Sequence, residues 1–272
     1  MDKSEILALR RAVLEKEFSR MNERQRQAVF SVNGPLLILA GAGSGKTTVL
    51  INRIANILRY GNAYNSTFIQ DALCEADLAA CRAYLDDDAP LPEETRRHLS
   101  VSACPPRKIM AITFTNKAAG ELKDRLCAML GAEGNDIWAS TFHSTCARIL
   151  RRDGERIGYS SHFTIYDTDD QRRLMKNILK ELNVSEKSTP PKAVLNEISR
   201  AKDFLITPEE YEKTAGDDFR QKIIARAYKL YQQRLRDADA MDFDDLINKT
   251  VELFRACPDV LEYYQDRFKY LM

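Results

Sequence analysis

The sequence predicts an α/β fold, in which a parallel sheet flanked by helices carries an inserted, all-helical region. Three observations predict it. Short apolar runs alternate with helical periodicity three times in the first part of the chain, the pattern of strand–helix units in a parallel sheet. The first unit joins its strand to its helix through a glycine-rich loop, in LILAGAGSGKTTVL at 37–50. From about residue 164 the pattern becomes one helical stretch after another.

Residues 3–18 have the spacing of an amphipathic helix, and MNERQRQAVF, 21–30, that of a second, with Asn22 placed to cap it and Gln25 one turn in. PLLILAG, 35–41, is a short apolar run between Gly34 and Gly41, which predicts a buried strand. In 47–60, Val49, Ile51, Ile54, Ile57 and Leu58 recur at helical spacing. Residues 61–107 are locally acidic, contain proline and lack a strand-like run. They are expected to form a surface insertion with one or two short helices.

KIMAITFT, 108–115, predicts the second strand, with a helix in NKAAGELKDRLCAML. DIWASTFH, 136–143, predicts the third, with a helix after it whose Arg148, Arg151 and Arg152 form either a solvated face or a contact for backbone phosphates. Thr168 or Asp169, Thr189 before Pro190-Pro191, and Thr207 before Pro208 mark helix starts in the helical region. Asp242 opens DFDDLINKTVELF, with Asp245 in a capping-box position.

The 272 residues suffice for one large domain or two modest ones. Basic and acidic residues nearly cancel, 41 against 40, so net charge argues neither for nor against a nucleic-acid partner. Six cysteines without a CxxC or zinc-finger spacing indicate reduced thiols and a cytoplasmic setting rather than a disulfide framework. The charged N-terminus has no signal-peptide core, and no apolar run approaches the ~20 residues of a membrane helix. No membrane partner is expected.

A glycine-rich turn between a strand and a helix wraps backbone N–H groups round a phosphate, with the helix N-terminus adding partial positive charge. In Gly43-Ser44-Gly45-Lys46-Thr47, Lys46 would reach the β/γ-phosphates and the Thr47 hydroxyl would ligate Mg²⁺. Phosphoryl transfer also needs an acid that holds the metal and positions water. The downstream candidate is MDFDDLI, but Phe243, Leu246, Ile247, Val251 and Phe254 give it helical spacing. Asp244 and Asp245 therefore read as helix-face carboxylates, and the missing acid implies a missing strand.

MNERQRQAV, LLILAGAGSGKTTVLINRIA, AITFTNKAAGEL, IWASTFHSTCARILRRD, MDFDDLI and YYQDRFKYLM, in that order, resemble the N-terminal part of the UvrD/PcrA/Rep helicases of superfamily 1. Only 61–107 stands out as unmatched. The resemblance implies a P-loop, RecA-like motor domain over 1–148, an inserted helical subdomain that contacts DNA over 149–238, and a return to the motor domain over 239–272. It implies an ATP-dependent DNA helicase or translocase moving 3′ to 5′, of the kind that serves DNA repair, with ATP and Mg²⁺ as cofactors. Single strands and single/double-strand junctions would be its partners.

In that family the acidic strand follows a segment like FKYLM. The acid, the second motor domain and its arginine finger are thus expected beyond Met272, with 1–272 binding nucleotide but hydrolysing little and associating through an incomplete sheet. Lys46 and Thr47 match the catalytic positions. Gln25, Ala42, Gly43, Ser44, Gly45, Lys46, Thr47 and Thr48 match the nucleotide site; Gln25 would read the adenine edge, and Thr48, where many relatives have arginine, only starts the helix. Phe114, Thr115, Asn116 and Lys117, with Thr141, Phe142 and His143, match the DNA-gripping loops, where aromatic faces stack on bases and polar groups meet phosphates. Two other classes compete: a self-contained small P-loop NTPase or kinase using MDFDDL as its acidic motif, and a non-catalytic, nucleotide-gated DNA-binding module.

Overall fold

Side-chain caps set the first two helices. In the computed structural model, which describes residues 2–41, 43–216 and 218–272, Asp2 and Glu5 form a capping box that opens α1 (Lys3–Glu17), and Asn22 and Gln25 form another that opens α2 (Glu23–Phe30). The chain continues through α3 (Lys46–Arg59), α4 (Glu75–Asp87), α5 (Glu93–Leu99), β1 (Ile109–Thr113), α6 (Asn116–Leu130) and β2 (Trp138–Thr141). Next come α7 (Phe142–Asp153), β3 (Thr164–Ile165), α8 (Thr168–Glu181), α9 (Pro191–Asp203), α10 (Pro208–Thr214) and α11 (Phe219–Asp237). The chain ends in β4 (Ala240–Met241), α12 (Phe243–Ala256), α13 (Pro258–Arg267) and β5 (Tyr270–Leu271).

These elements form two compact units, Met1–Ser140 with Asp266–Met272, and Thr141–Gln265. The breaks differ from those expected at 148/149 and 238/239. Residue 148 lies inside α7, which is one continuous helix and packs against α12 within the second unit.

In the first unit, β2, β1 and β5 form a sheet in that order, with β1 and β5 parallel and Ile109 opposite Tyr270. Its core joins Ile51, Ile54 and Ile57 of α3 to Ile109 and Ala111 of β1 and to Leu122 and Leu126 of α6. Each such buried Ile or Leu side chain contributes about 1.5–3 kcal/mol. A neighbouring cluster packs Val29 and Phe30 of α2 against Val49 of α3, with Leu14 and Phe18.

Two expectations change here. Residues 35–41 are not a buried strand: no strand is assigned to them, and Leu37 and Leu39 are 81% and 86% exposed. A strand needs a neighbour that completes its ladder. Instead, a groove of about 560 Å³ is lined by Val32–Leu36 and Ile38 on one side and Lys269–Met272 on the other. The stretch 61–107 is also more than a surface excursion, because Cys81 of α4, Leu99 of α5 and Leu91 just before α5 share a buried cluster with Val13 of α1.

The second unit is helical apart from the parallel pair β3–β4, in which Thr164 faces Ala240 and Ile165 faces Met241. Its core combines Met175, Ile178 and Leu179 of α8, Val194 and Ile198 of α9, and Ile224, Tyr228, Tyr231 and Leu235 of α11. Thr207 and Asp242 cap α10 and α12 as the sequence predicts. The caps of α8 and α9 move to Asp167 and Pro190.

Candidate functional site

The glycine-rich loop runs directly into α3. Gly43 and Gly45 adopt φ of +74° and +83°, a left-handed conformation that glycine reaches without steric cost, and Gly45 is the residue that opens the helix. Gly45 has no side chain to cap α3, so the first-turn N–H groups of Lys46, Thr47 and Thr48 lack that partner and lie in an exposed turn. This arrangement is suited to an anion. Ala42, also placed in this site by the sequence, lies outside the described residues.

Lys46 folds back over the loop. Its Nζ donates to the carbonyls of Gly41 at 2.6 Å and Ala40 at 3.0 Å, and Ser44 Oγ donates to the Gly41 carbonyl at 2.7 Å. Thr47 is exposed, and the Thr48 carbonyl accepts from Asn52 Nδ2 at 2.8 Å. Gln25 reaches the same loop from α2, where its Nε2 donates to the Ser44 carbonyl at 3.1 Å. Gln25, Ser44, Gly45 and Lys46 are therefore brought together.

Two further residues of α3 hold α2 beside the loop, and the sequence reading did not single them out. Buried Arg53 donates to the carbonyls of Ala28 at 2.7 Å, Val32 at 3.3 Å and Ser31. Asn56 Nδ2 donates to the Val29 carbonyl at 3.3 Å. Burial lowers the Arg53 pKa. Their signal was in the spacing: Val49, Arg53, Asn56 and Tyr60 follow one another at four, three and four residues, so two polar side chains interrupt the apolar stripe of α3.

Phe114, Thr115, Asn116 and Lys117 stand where β1 passes into α6 in the first unit, all exposed, with the Phe114 ring 90% accessible. Thr115 also caps α6, accepting from the Ala118 N–H at 3.2 Å. Thr141, Phe142 and His143 lie at the start of α7. Thr141 is buried and its hydroxyl accepts from the Ser144 N–H at 3.2 Å, whereas Phe142 is 44% exposed. His143 meets Phe243 edge-on, with ring centroids 5.7 Å apart. Arg151 and Arg152 are not merely solvated: they lie over the rings of Phe163 and Tyr263, 4.9 and 3.7 Å from the centroids.

Asp244 and Asp245 lie on α12, as the sequence predicts, with Asp242 as its cap, and Asp245 is buried. Lys202 Nζ lies 2.7 Å from Asp242 and 2.9 Å from Asp245, and all three side chains are buried. Tyr231 donates its hydroxyl proton to Asp242 at 3.0 Å, and Gln232 Nε2 donates to Asp245 at 3.1 Å. Burial and the adjacent Asp242 raise the Asp245 pKa against the pull of Lys202. Burial would lower the Lys202 pKa, but Asp245 and Asp242 together carry it above its ordinary value. The pair is thus an internal clamp between α9 and α12.

A second polar cluster joins α4 to α5. Asp77 accepts from Thr95 Oγ1 at 2.8 Å, from the Cys74 N–H at 3.0 Å and from the Cys74 thiol at 3.3 Å, and it also meets His98 Nδ1 at 2.8 Å. Among the described residues, no group of three or more His, Cys, Asp or Glu side chains could hold a metal ion, and no helix is long and apolar enough to cross a membrane.

Residues 21–70 and 91–272 match the family described as UvrD/REP helicase N-terminal domain. The unmatched interval, 71–90, is narrower than the 61–107 expected and contains α4. The chain is 41% identical over 252 residues to the ATP-dependent DNA helicase PcrA of Leuconostoc citreum, covering 92% of this chain and 28% of that protein. It is 42% identical over 253 residues to the PcrA of Bacillus subtilis strain 168, covering 93% of this chain and 29% of that protein. The chain therefore spans less than a third of the length of these relatives.

Proposed function

The chain belongs to the UvrD/REP helicase N-terminal domain family, and on that footing we propose that it is the ATP-binding, single-strand-contacting part of a 3′-to-5′ DNA helicase. The observation that carries the reading is the convergence of Gln25, Ser44, Gly45 and Lys46 at the start of α3. A triphosphate takes over the Lys46 ammonium from the Ala40 and Gly41 carbonyls and receives the exposed N–H groups of the first turn. The Gln25 amide faces the adenine edge, having both a donor and an acceptor. Thr47 is the residue to ligate Mg²⁺, which would neutralise phosphate charge.

Phe114 of the first unit and Phe142 of the second are the stacking faces for bases, with Asn116, Lys117 and His143 as polar contacts to the strand. Thr115 and Thr141 shape these loops through their caps. The helical unit is the subdomain that meets single strands and junctions. The second motor domain, with the arginine finger and the metal-holding acid, is assigned to the greater part of the parent that this chain does not span. The exposed Leu36–Leu39 run is the surface for association with another copy of the chain or with the rest of the sheet. Repair in the cytoplasm is the proposed setting.

The self-contained NTPase loses support because two of the three MDFDDLI carboxylates, Asp242 and Asp245, are committed to Lys202. The deciding experiment measures Mg-ATP binding and hydrolysis by the 272-residue chain, with and without single-stranded DNA, beside Lys46→Ala. Lys46-dependent binding with little turnover is expected. Robust Lys46-dependent turnover would restore the self-contained enzyme. Tight, ATP-dependent DNA binding without hydrolysis would favour the gated binding module.

A further inference from the structure

Both ends of the Gln25 side-chain amide are in use. Its Oε1 accepts from the Asn22 N–H at 3.1 Å, and its Nε2 donates to the Ser44 carbonyl at 3.1 Å. The same Nε2 stands 3.1 Å from where a Cβ on Gly45 would lie, so the amide packs on the loop at the residue that opens α3. At the other end of α2, Arg53 and Asn56 grip the carbonyls of Ala28, Val29 and Val32. Helix α2 is therefore fastened to α3 near its C-terminus and to the loop at its N-terminus, and the loop is held inside a closed circuit of contacts.

We propose that Gln25 is a positioning residue for the phosphate loop. It fastens the Ser44–Gly45 turn to the N-terminus of α2 whether or not a base is bound, which gives it a task separate from contact with adenine. This rests on the reading of the loop as a nucleotide site. The amide has the capacity for both tasks. A primary amide offers two N–H donors and an oxygen with two lone pairs. One donor and one lone pair are engaged here, and the others remain for a base edge. A base held there is tied through a single side chain to the loop that holds its phosphates, so Gln25 bears on ligands that have no base.

The test uses the whole chain with two probes, Mg-ATP and inorganic tripolyphosphate, the second having phosphates but no base. Affinities are measured by calorimetry for the wild type, Gln25→Ala and Asn22→Ala, with amide hydrogen exchange at Ser44–Thr47 as a second readout. Asn22→Ala removes the helix cap, whose Oδ1 accepts from the Gln25 N–H at 2.9 Å, but keeps the Gln25 contact with Ser44. Loss of one loop hydrogen bond is expected to weaken tripolyphosphate about three- to tenfold in Gln25→Ala. Exchange at Ser44–Thr47 quickens in the same variant, and Asn22→Ala stays near wild type in both readouts.

Weakened ATP with unchanged tripolyphosphate in Gln25→Ala would make the residue a base reader alone and overturn the proposal. An equal loss in Asn22→Ala would also overturn it, by tracing the effect to the helix cap. If the wild type binds neither probe, the nucleotide-site reading fails and the proposal goes with it, a result distinct from the other two.

Discussion

Lys202 Nζ lies 2.9 Å from Asp245 Oδ1 with the two side chains 1% and 2% exposed. Removing one partner of a buried ion pair leaves the other charge uncompensated, which costs about 3–5 kcal/mol. Lys202→Met is therefore expected to lower the stability of the helical unit by that amount in urea denaturation. Asp245→Asn should act in the same direction while leaving tripolyphosphate binding at the glycine-rich loop unchanged. Loss of that binding with normal stability would return MDFDDLI to the nucleotide site.

Gly45 sits at φ +83°, and an added Cβ would lie 3.1 Å from Gln25 Nε2. A side chain in the left-handed region costs about 1–2 kcal/mol. The backbone here is the start of α3, so the cost falls on the shape of the loop. Gly45→Ala should weaken Lys46-dependent binding of Mg-ATP by roughly five- to thirtyfold, the same energy expressed as affinity. Unaltered binding in titration calorimetry would show that the loop does not need this conformation.

What the sequence revealed was local. Asn22, Thr207 and Asp242 announce their helices because a cap is read from the few residues that follow it. The loop and α3 were legible for the same reason. The run 35–41 was misread because a strand depends on a partner distant in sequence, and the apolar side chains do not reveal whether that partner is paired. Asp245 read only as a helix-face carboxylate in a capping position because its counter-ion, Lys202, lies 43 positions earlier on another helix (245 less 202). The packing of α4 and α5 on α1 was hidden in the same way, since Val13, Cys81 and Leu99 carry no shared local pattern. Gln25 was found from the resemblance, but its grip on Ser44 was visible only in three dimensions.

Phe114 exposes 90% of its surface at the end of β1. Base–aromatic stacking contributes about 1–3 kcal/mol by alanine substitution. Phe114→Ala is expected to weaken single-strand binding by that amount, measured by fluorescence anisotropy with a labelled oligonucleotide at fixed salt. An exposed ring contributes little to folding, so the thermal midpoint should barely move. A large fall in midpoint with unchanged DNA affinity would make the ring structural.

Asp77 links α4 to α5, and its ionisation gives the first unit a dependence on acid. Burial pushes its pKa up, but hydrogen bonds from His98, the Cys74 N–H, Thr95 and the Cys74 thiol outweigh that and hold it at about 2, below the ordinary 3.8. A carboxylate with a depressed folded-state pKa stabilises the fold fully above its unfolded value and loses that contribution as pH falls through the folded one. Stability should therefore decline between about pH 4 and pH 2 as the linkage is titrated. Asp77→Asn keeps the shape but cannot ionise. It should begin with a lower midpoint at pH 7 and show a flatter decline over the acid interval. Circular dichroism melts across that range decide the matter: parallel curves for the wild type and Asp77→Asn would mean that Asp77 does not carry the acid dependence, and converging curves would mean that it does.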